Sequence, residues 1–310
     1  MTPPLPKSLP GIADVEVLRG GAAGDAAPDL LVEVPHGADR LAHYDALRVR
    51  LSGALPADLH EFFFVNTDVG AWQVGRRVAE QVVAADPRRV AVVVRSLIPR
   101  TFIDCNRIEE ATEGHLTAGG MTASVPVYVR EPADRAVLLE LHRRYVALVE
   151  QAFAALGPRG FLLMPHTYGP CTLGIERIDE TIVEKLRSAH EPARYATWPV
   201  RPEVDLITRT ADGQLHAAAS VAAAVAAAYK ALGLQVAENA TYHMHPSTLG
   251  HRWATRCPDR TLCLEMRRDL LVSGWTWNRE NEVDPAAAAR FATPLADAIS
   301  AWLNEASHGG

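Results

Sequence analysis

Cysteine is scarce in this chain. Cys105, Cys171, Cys257 and Cys263 are the only four among 310 residues, and no two form a CxxC pair. That excludes a disulfide scaffold and fits a structural zinc knuckle poorly; reduced thiols in a cytoplasmic protein suit the pattern. There is no basic block, and the net charge is −6, so neither nucleic acid nor an anionic membrane surface is an expected partner. No run of 18 apolar residues occurs, so no membrane span is expected. The opening Met1-Thr2-Pro3-Pro4-Leu5-Pro6-Lys7 has no apolar signal core. What remains is ordinary globular material: 48% apolar and 22% charged, in a chain long enough for a sizeable core.

Apolar runs alternate with helical segments along the chain. Strand-like runs are Leu30–Val34, Phe62–Asn66, Val90–Ser96, Phe161–Met164, Val204–Thr208, Leu234–Glu238 and Leu262–Met266. They barely alternate in polarity, as expected of strands covered on both faces. Helices are expected over Ala71–Ala84, Ala133–Ala155, Ile178–Ser188, His216–Leu232 and Ala286–Ala306, with Gly233 as the stop after the alanine-rich fourth. This order argues for one α/β domain spanning 1–310, with a mostly parallel mixed sheet covered by helices on both faces. Residues 1–25 are expected to be an extended N-terminal segment. Residues 108–130 and 239–260 are expected to be long loops at the active site.

Two of the strands run into a histidine. Leu30-Leu31-Val32-Glu33-Val34-Pro35-His36-Gly37 and Phe161-Leu162-Leu163-Met164-Pro165-His166-Thr167 each deliver His to the carboxyl edge of the sheet, where open α/β sheets bind ligands. Either His alone is a hydrogen-bonded loop residue. The pair, with a carboxylate, is a zinc-ligand set that keeps one position open. Two carboxylates compete for that place. Asp68 follows Asn66-Thr67 and precedes Gly70 and a helix, where it would otherwise be an N-cap. Asp39 stands three residues after His36, an HxxE-like spacing. Arg100, Asp104, Asn106 and Arg107 follow the third strand; a planar guanidinium binds a carboxylate through two parallel hydrogen bonds. Glu265, in the apolar Leu262–Met266 run, needs a partner or a task, and a general base is one such task. His243, His245 and His251 match no zinc spacing and suit substrate contacts or a lid. Trp275 and Trp277 read as packing.

With these residues in view, the chain resembles the N-formylglutamate amidohydrolase family, grouped with the zinc carboxypeptidase and aspartoacylase-like hydrolases. The resemblance lies in Pro35-His36-Gly37-Ala38, Thr67-Asp68 with Trp72, Arg100 to Asp104-Cys105-Asn106-Arg107, His166-Thr167, Glu238-Asn239 to Tyr242, and Leu264-Glu265-Met266 with Arg268. It runs from about residue 30 to 272. The chain departs from it at Met244-His245-Pro246 and at Leu206-Ile207-Thr208-Arg209, both expected to line the acyl or side-chain pocket.

The resemblance implies a phosphorylase/hydrolase-like, zinc-carboxypeptidase-like fold. It implies one zinc per chain, held by His36, Asp68 and His166, with iron, manganese or cobalt compatible with the same donors. Asp68 is preferred because the family's position three after the first His is not usually acidic; the aspartoacylase-like relatives would put Asp39 in the role. Glu265 would be the base, and Arg100 would polarise the carbonyl. Asn106, Arg107, Arg268, Tyr242 and His245 would contact the substrate. The implied reaction is cleavage of an N-acyl amino acid such as N-formylglutamate to formate and the free amino acid. The alternatives are a different amide (another N-acyl amino acid, an amidino compound or the C-terminus of a short peptide) and a non-catalytic binding protein of the same fold.

Overall fold

The computed structural model describes residues 3–109 and 123–308. Seven strands form one mixed sheet: β1 (Ala13–Arg19), β2 (Leu30–Val34), β3 (Val90–Ser96), β4 (Phe161–Tyr168), β5 (Val204–Ile207), β6 (Val236–Glu238) and β7 (Thr261–Arg267). Their spatial order is β1-β3-β2-β4-β7-β5-β6. The four central strands β3, β2, β4 and β7 are mutually parallel, and β5 pairs parallel with β6; the β1–β3 and β5–β7 pairs are antiparallel. The expected single α/β domain with a mostly parallel sheet is the one observed. The parallel strands are buried along nearly their whole length, as their unbroken apolar sequences require.

Helices cover both faces. One face carries α1 (Leu41–Arg48), α2 (Leu59–Asn66), α4 (Pro132–Ala155), α5 (Ile182–Ala189) and α8 (Leu249–Arg256). The other carries α3 (Ala71–Ala85), α7 (Ala219–Ala231) and α9 (Pro285–His308). A one-turn helix, α6 (Pro192–Tyr195), follows α5. Leu31, Leu162 and Met164 point to the first layer, while Leu30, Val32 and Leu163 point to the second, the alternation a pleated strand dictates. Gly233 adopts a φ of +79° and ends the alanine-rich helix as expected.

Three expectations are corrected. Phe62–Asn66 is not a strand but most of α2. Its apolar run is short enough to suit either element, and Leu59, Phe62, Phe63 and Asn66 have the i, i+3, i+4, i+7 spacing of a helix face. Second, the segment 239–260 is not all loop: it contains α8 and a 3-10 turn, Pro258–Arg260. Third, the N-terminal segment contains β1, which pairs with β3 at the sheet edge. Most of the expected loop 108–130 (residues 110–122) lies outside the described residues. Among the described residues no helix is long and apolar enough to cross a membrane.

One buried charge-bearing group sits mid-sheet. Glu33 of β2 is 1% exposed, and its Oε1 accepts a hydrogen bond from the Tyr145 hydroxyl of α4 at 2.5 Å. Burial raises its pKa, against the Tyr145 hydrogen bond and the nearby His166 and His36. Tyr145→Phe leaves that oxygen unpaired in the core and should cost about 1–3 kcal/mol of stability. A urea-denaturation midpoint that falls with an unchanged slope is the expected reading.

Candidate metal centre and substrate cleft

The parallel strands β3, β2, β4 and β7 all end at one edge of the sheet, and the site is built there. His36 stands two residues beyond β2, and His166 lies near the end of β4. Glu265 of β7 is the register partner of His166, so the two side chains share a face. Asp68 lies in the turn between α2 and α3. That turn is fastened to the β2 end: Asp68 N donates to the His36 carbonyl (3.2 Å) and Thr67 Oγ1 to the Ala38 carbonyl (2.6 Å). Thr167 Oγ1 ties the same turn to β4 through the Val69 carbonyl (2.9 Å). Gly70, at φ +92°, lets the chain reverse into α3 at that point.

The side chains converge. Asp68 Oδ2 lies 3.1 Å from His36 Nδ1 and 2.8 Å from His166 Nδ1. All three residues are buried, and one ligand atom from each lies within 4.8 Å of the others. Among the described residues no other group of three such side chains meets that condition. The donor set of two imidazole nitrogens and one carboxylate oxygen is the one zinc accepts in catalytic sites. On the far side of the ring, His36 Nε2 donates to Asp104 Oδ1 at 2.8 Å. A carboxylate behind a ligating imidazole fixes its tautomer and aims the other nitrogen inward. Burial works to raise the pKa of Asp68, but His36 and His166 outweigh it and hold the group below the usual carboxylate range, hence ionised.

The rival carboxylate is occupied elsewhere. Asp39 Oδ1 accepts from Arg95 Nη2 of β3 at 2.6 Å, and Arg95 Nε also holds the Gly37 carbonyl at 2.8 Å. Asp39 is not among the residues gathered around His36 and His166.

Asp104 organises the cationic side. Its Oδ2 accepts from Arg100 Nε at 3.1 Å and lies 3.6 Å from Arg107 Nη2, while its Oδ1 also accepts the Asn106 amide at 2.8 Å. Burial opposes ionisation of Asp104, but Arg100, Arg107 and His36 overcome it and keep the pKa well below the usual range. Glu265 has the opposite character. Its Oε2 is buried without a hydrogen-bond partner, and burial pushes the pKa up to about 7. A carboxylate in that state is a better proton acceptor than an exposed one and is still ionised in part near neutrality.

His36, His166, Glu265, Arg100, Asn106 and Arg107 all line one cavity of about 1170 Å³. Tyr242, His245 and Arg268 line it too. Arg268 is spoken for at both ends of its fork: Nη1 donates to the Val65 carbonyl (2.6 Å) at the end of α2, and Nη2 to the Thr167 carbonyl (2.8 Å) on β4. It thereby braces the two elements that carry Asp68 and His166. Asn106 spends its Oδ1 on the Gly250 amide (2.9 Å) and so anchors the start of α8. At the two departures from the resemblance, Ile207, Met244 and His245 line the cavity. His243, His245 and His251 do not come together. His243 lines the cavity, His245 Nδ1 bonds Ser247, and the His251 ring packs against His216 at 5.1 Å.

Three features were missed in the sequence. Arg201, just before β5, reaches the same edge because β5 runs antiparallel to β7. Its guanidinium lies 5.1 Å from the Tyr168 ring and 5.7 Å from the Tyr242 ring. Asp104 is the partner of His36, a contact between residues 68 positions apart that no local motif marks. Trp277 packs against the core as read, but it and Trp275 also line the cavity with Tyr195 and His190.

Neither a family model nor a curated protein matches the chain. Similarity to solved structures is found, and the first of those below shares its fold. A gene product of Agrobacterium tumefaciens is 17% identical over 96% of each chain, with a TM-score of 0.53. An N-formylglutamate amidohydrolase from Ralstonia eutropha is 19% identical over 94% of this chain and 99% of that one, with a TM-score of 0.49. A metallo-carboxypeptidase from Burkholderia cenocepacia is 14% identical over 94% of this chain and 61% of that one, with a TM-score of 0.40. At these identities the likeness is one of fold.

Proposed function

We propose that the protein is a metal-dependent amidohydrolase that cleaves the amide C–N bond of an N-acyl amino acid, with N-formyl amino acids such as N-formylglutamate within the class. The observation that carries this reading is the buried His36–Asp68–His166 group with the unpartnered Glu265 oxygen beside it. These three residues would hold one divalent ion, for which zinc is the best match to the donors. Such an ion, when bound, polarises the amide carbonyl and makes water acidic enough to attack at neutral pH.

The chain's own residues supply the rest. Glu265 takes a proton from the attacking water, whose oxygen bonds to the carbonyl carbon. It returns that proton to the amine nitrogen as the C–N bond breaks, leaving a carboxylate and a free amino acid. Arg100, held by Asp104 and lining the cavity, offsets the charge that develops on the carbonyl oxygen. Arg107 and Asn106 hold the substrate carboxylate and so orient the scissile bond.

Chelator-treated protein given N-formylglutamate and a panel of N-acyl amino acids, with and without added zinc, tests the reading. Zinc-dependent amine release supports it. Zinc uptake without release from any amide would overturn it and leave a binding protein. Arg107→Ala should raise KM for carboxylate-bearing substrates about 10–100-fold, since a lost charge-assisted bond is worth roughly 1.5–3 kcal/mol. Their neutral amides should be affected much less. Equal losses for both would remove Arg107 from the carboxylate site.

A further inference from the structure

The cavity is much larger than the reaction centre needs. At about 1170 Å³ it exceeds the range of roughly 300–1,000 Å³ typical for drug-sized ligands, whereas an amino acid with a one-carbon acyl group is far smaller than such a ligand. The surplus space has a distinctive wall. His190, at the end of α5, is sandwiched between Trp277 (centroids 4.4 Å apart, 11° between planes) and Tyr195 (5.1 Å, 20°). Trp275 lies 6.4 Å from both Tyr195 and His190. Burial lowers the His190 pKa, while the bond between its Nδ1 and the Leu186 carbonyl at 2.8 Å works to raise it. The wall is a surface of aromatic rings, only half-buried, although rings of this size gain most from being covered. Leu173, Ile175 and Ile178 continue the apolar lining. The same cavity reaches His36, His166 and Glu265 without a break.

We infer that the natural substrate of this site carries a bulky apolar group, aromatic in character, which packs against the His190–Trp275–Trp277–Tyr195 wall while its amide lies at His36, His166 and Glu265. The inference rests on the amidohydrolase reading and narrows its substrate class. Two placements share this chemistry: the aromatic group belongs to the acyl portion or to the amino acid side chain. The first is probed with N-(4-phenylbutanoyl)glutamate, the second with N-formylphenylalanine, and both are compared with N-formylglutamate.

With zinc-loaded full-length protein, one of the two aromatic substrates should have a kcat/KM about 10–100-fold above that of N-formylglutamate, as covering a phenyl group implies. In Trp277→Ala, and in the milder Trp275→Leu, that ratio should collapse towards one. A second readout needs no turnover. In chelated protein the favoured aromatic substrate should perturb tryptophan fluorescence at concentrations where N-formylglutamate does not. N-formylglutamate as the best substrate, or ratios unmoved by both tryptophan variants, would overturn the inference and leave the hydrolase reading intact. If neither these three amides nor the wider N-acyl panel is hydrolysed yet the aromatic ones still bind, the hydrolase reading fails and the aromatic subsite survives. If the aromatic ones do not bind either, both fail.

Discussion

Glu265→Gln should bind zinc as the unmodified protein does and hydrolyse its amide substrate at least about 100-fold more slowly, the contribution expected of a positioned general base. The substitution is nearly isosteric and does not touch His36, Asp68 or His166. Glu265 is buried in β7 beside His166, with one carboxylate oxygen unpaired. An unpaired buried oxygen costs free energy, and a role in proton transfer would give that oxygen a task. Glutamine keeps the volume and loses the basic oxygen. Separate measurements of metal content and of kcat distinguish this from a general collapse of the site. A variant that retains more than about a tenth of the activity would remove Glu265 from the proton-transfer step.

Asp68→Asn should weaken zinc binding more than any other single carboxylate change. Both Nδ1 atoms converge on its Oδ2, and the group is ionised in spite of complete burial. Removing its charge leaves two imidazoles without the anion that gathers them. The expected loss exceeds the roughly 10–100-fold seen when an outer-shell carboxylate is removed, the range expected for Asp104→Asn behind His36. Asp39→Asn should change affinity little, because that carboxylate is engaged by Arg95. Competition against a chromophoric chelator ranks the three variants. An order with Asp39→Asn the most damaging would transfer the ligand role to Asp39.

The two histidines were legible because each ends an apolar run at Pro-His, and strand ends in parallel sheets converge on one edge. Glu265 was legible because a carboxylate in so apolar a strand stands out. Choosing between Asp68 and Asp39 needed the third dimension. The partner of Asp39 is Arg95 on β3, a strand that pairs with β2 but lies over fifty residues along the chain. The same reason hid the Asp104–His36 contact and the bracing role of Arg268, whose partners are backbone carbonyls of α2 and β4. The three phenylalanines of α2 resemble a strand locally, and helical packing on α1, α5 and the sheet decided otherwise. β1 did carry a period-two signal in Ala13-Asp14-Val15-Glu16-Val17, weakened by the charges of an edge strand. The aromatic wall was not legible, since α5, α6 and the segment after β7 each supply only part of it.

Anomalous diffraction from crystals grown with zinc would locate the ion. One ion per chain is expected, with His36, Asp68 and His166 at roughly 2.0–2.2 Å and Glu265 close by without ligating it. An ion seated elsewhere, such as between His216 and His251, with His36 and His166 still hydrogen-bonded to Asp68, would contradict this assignment.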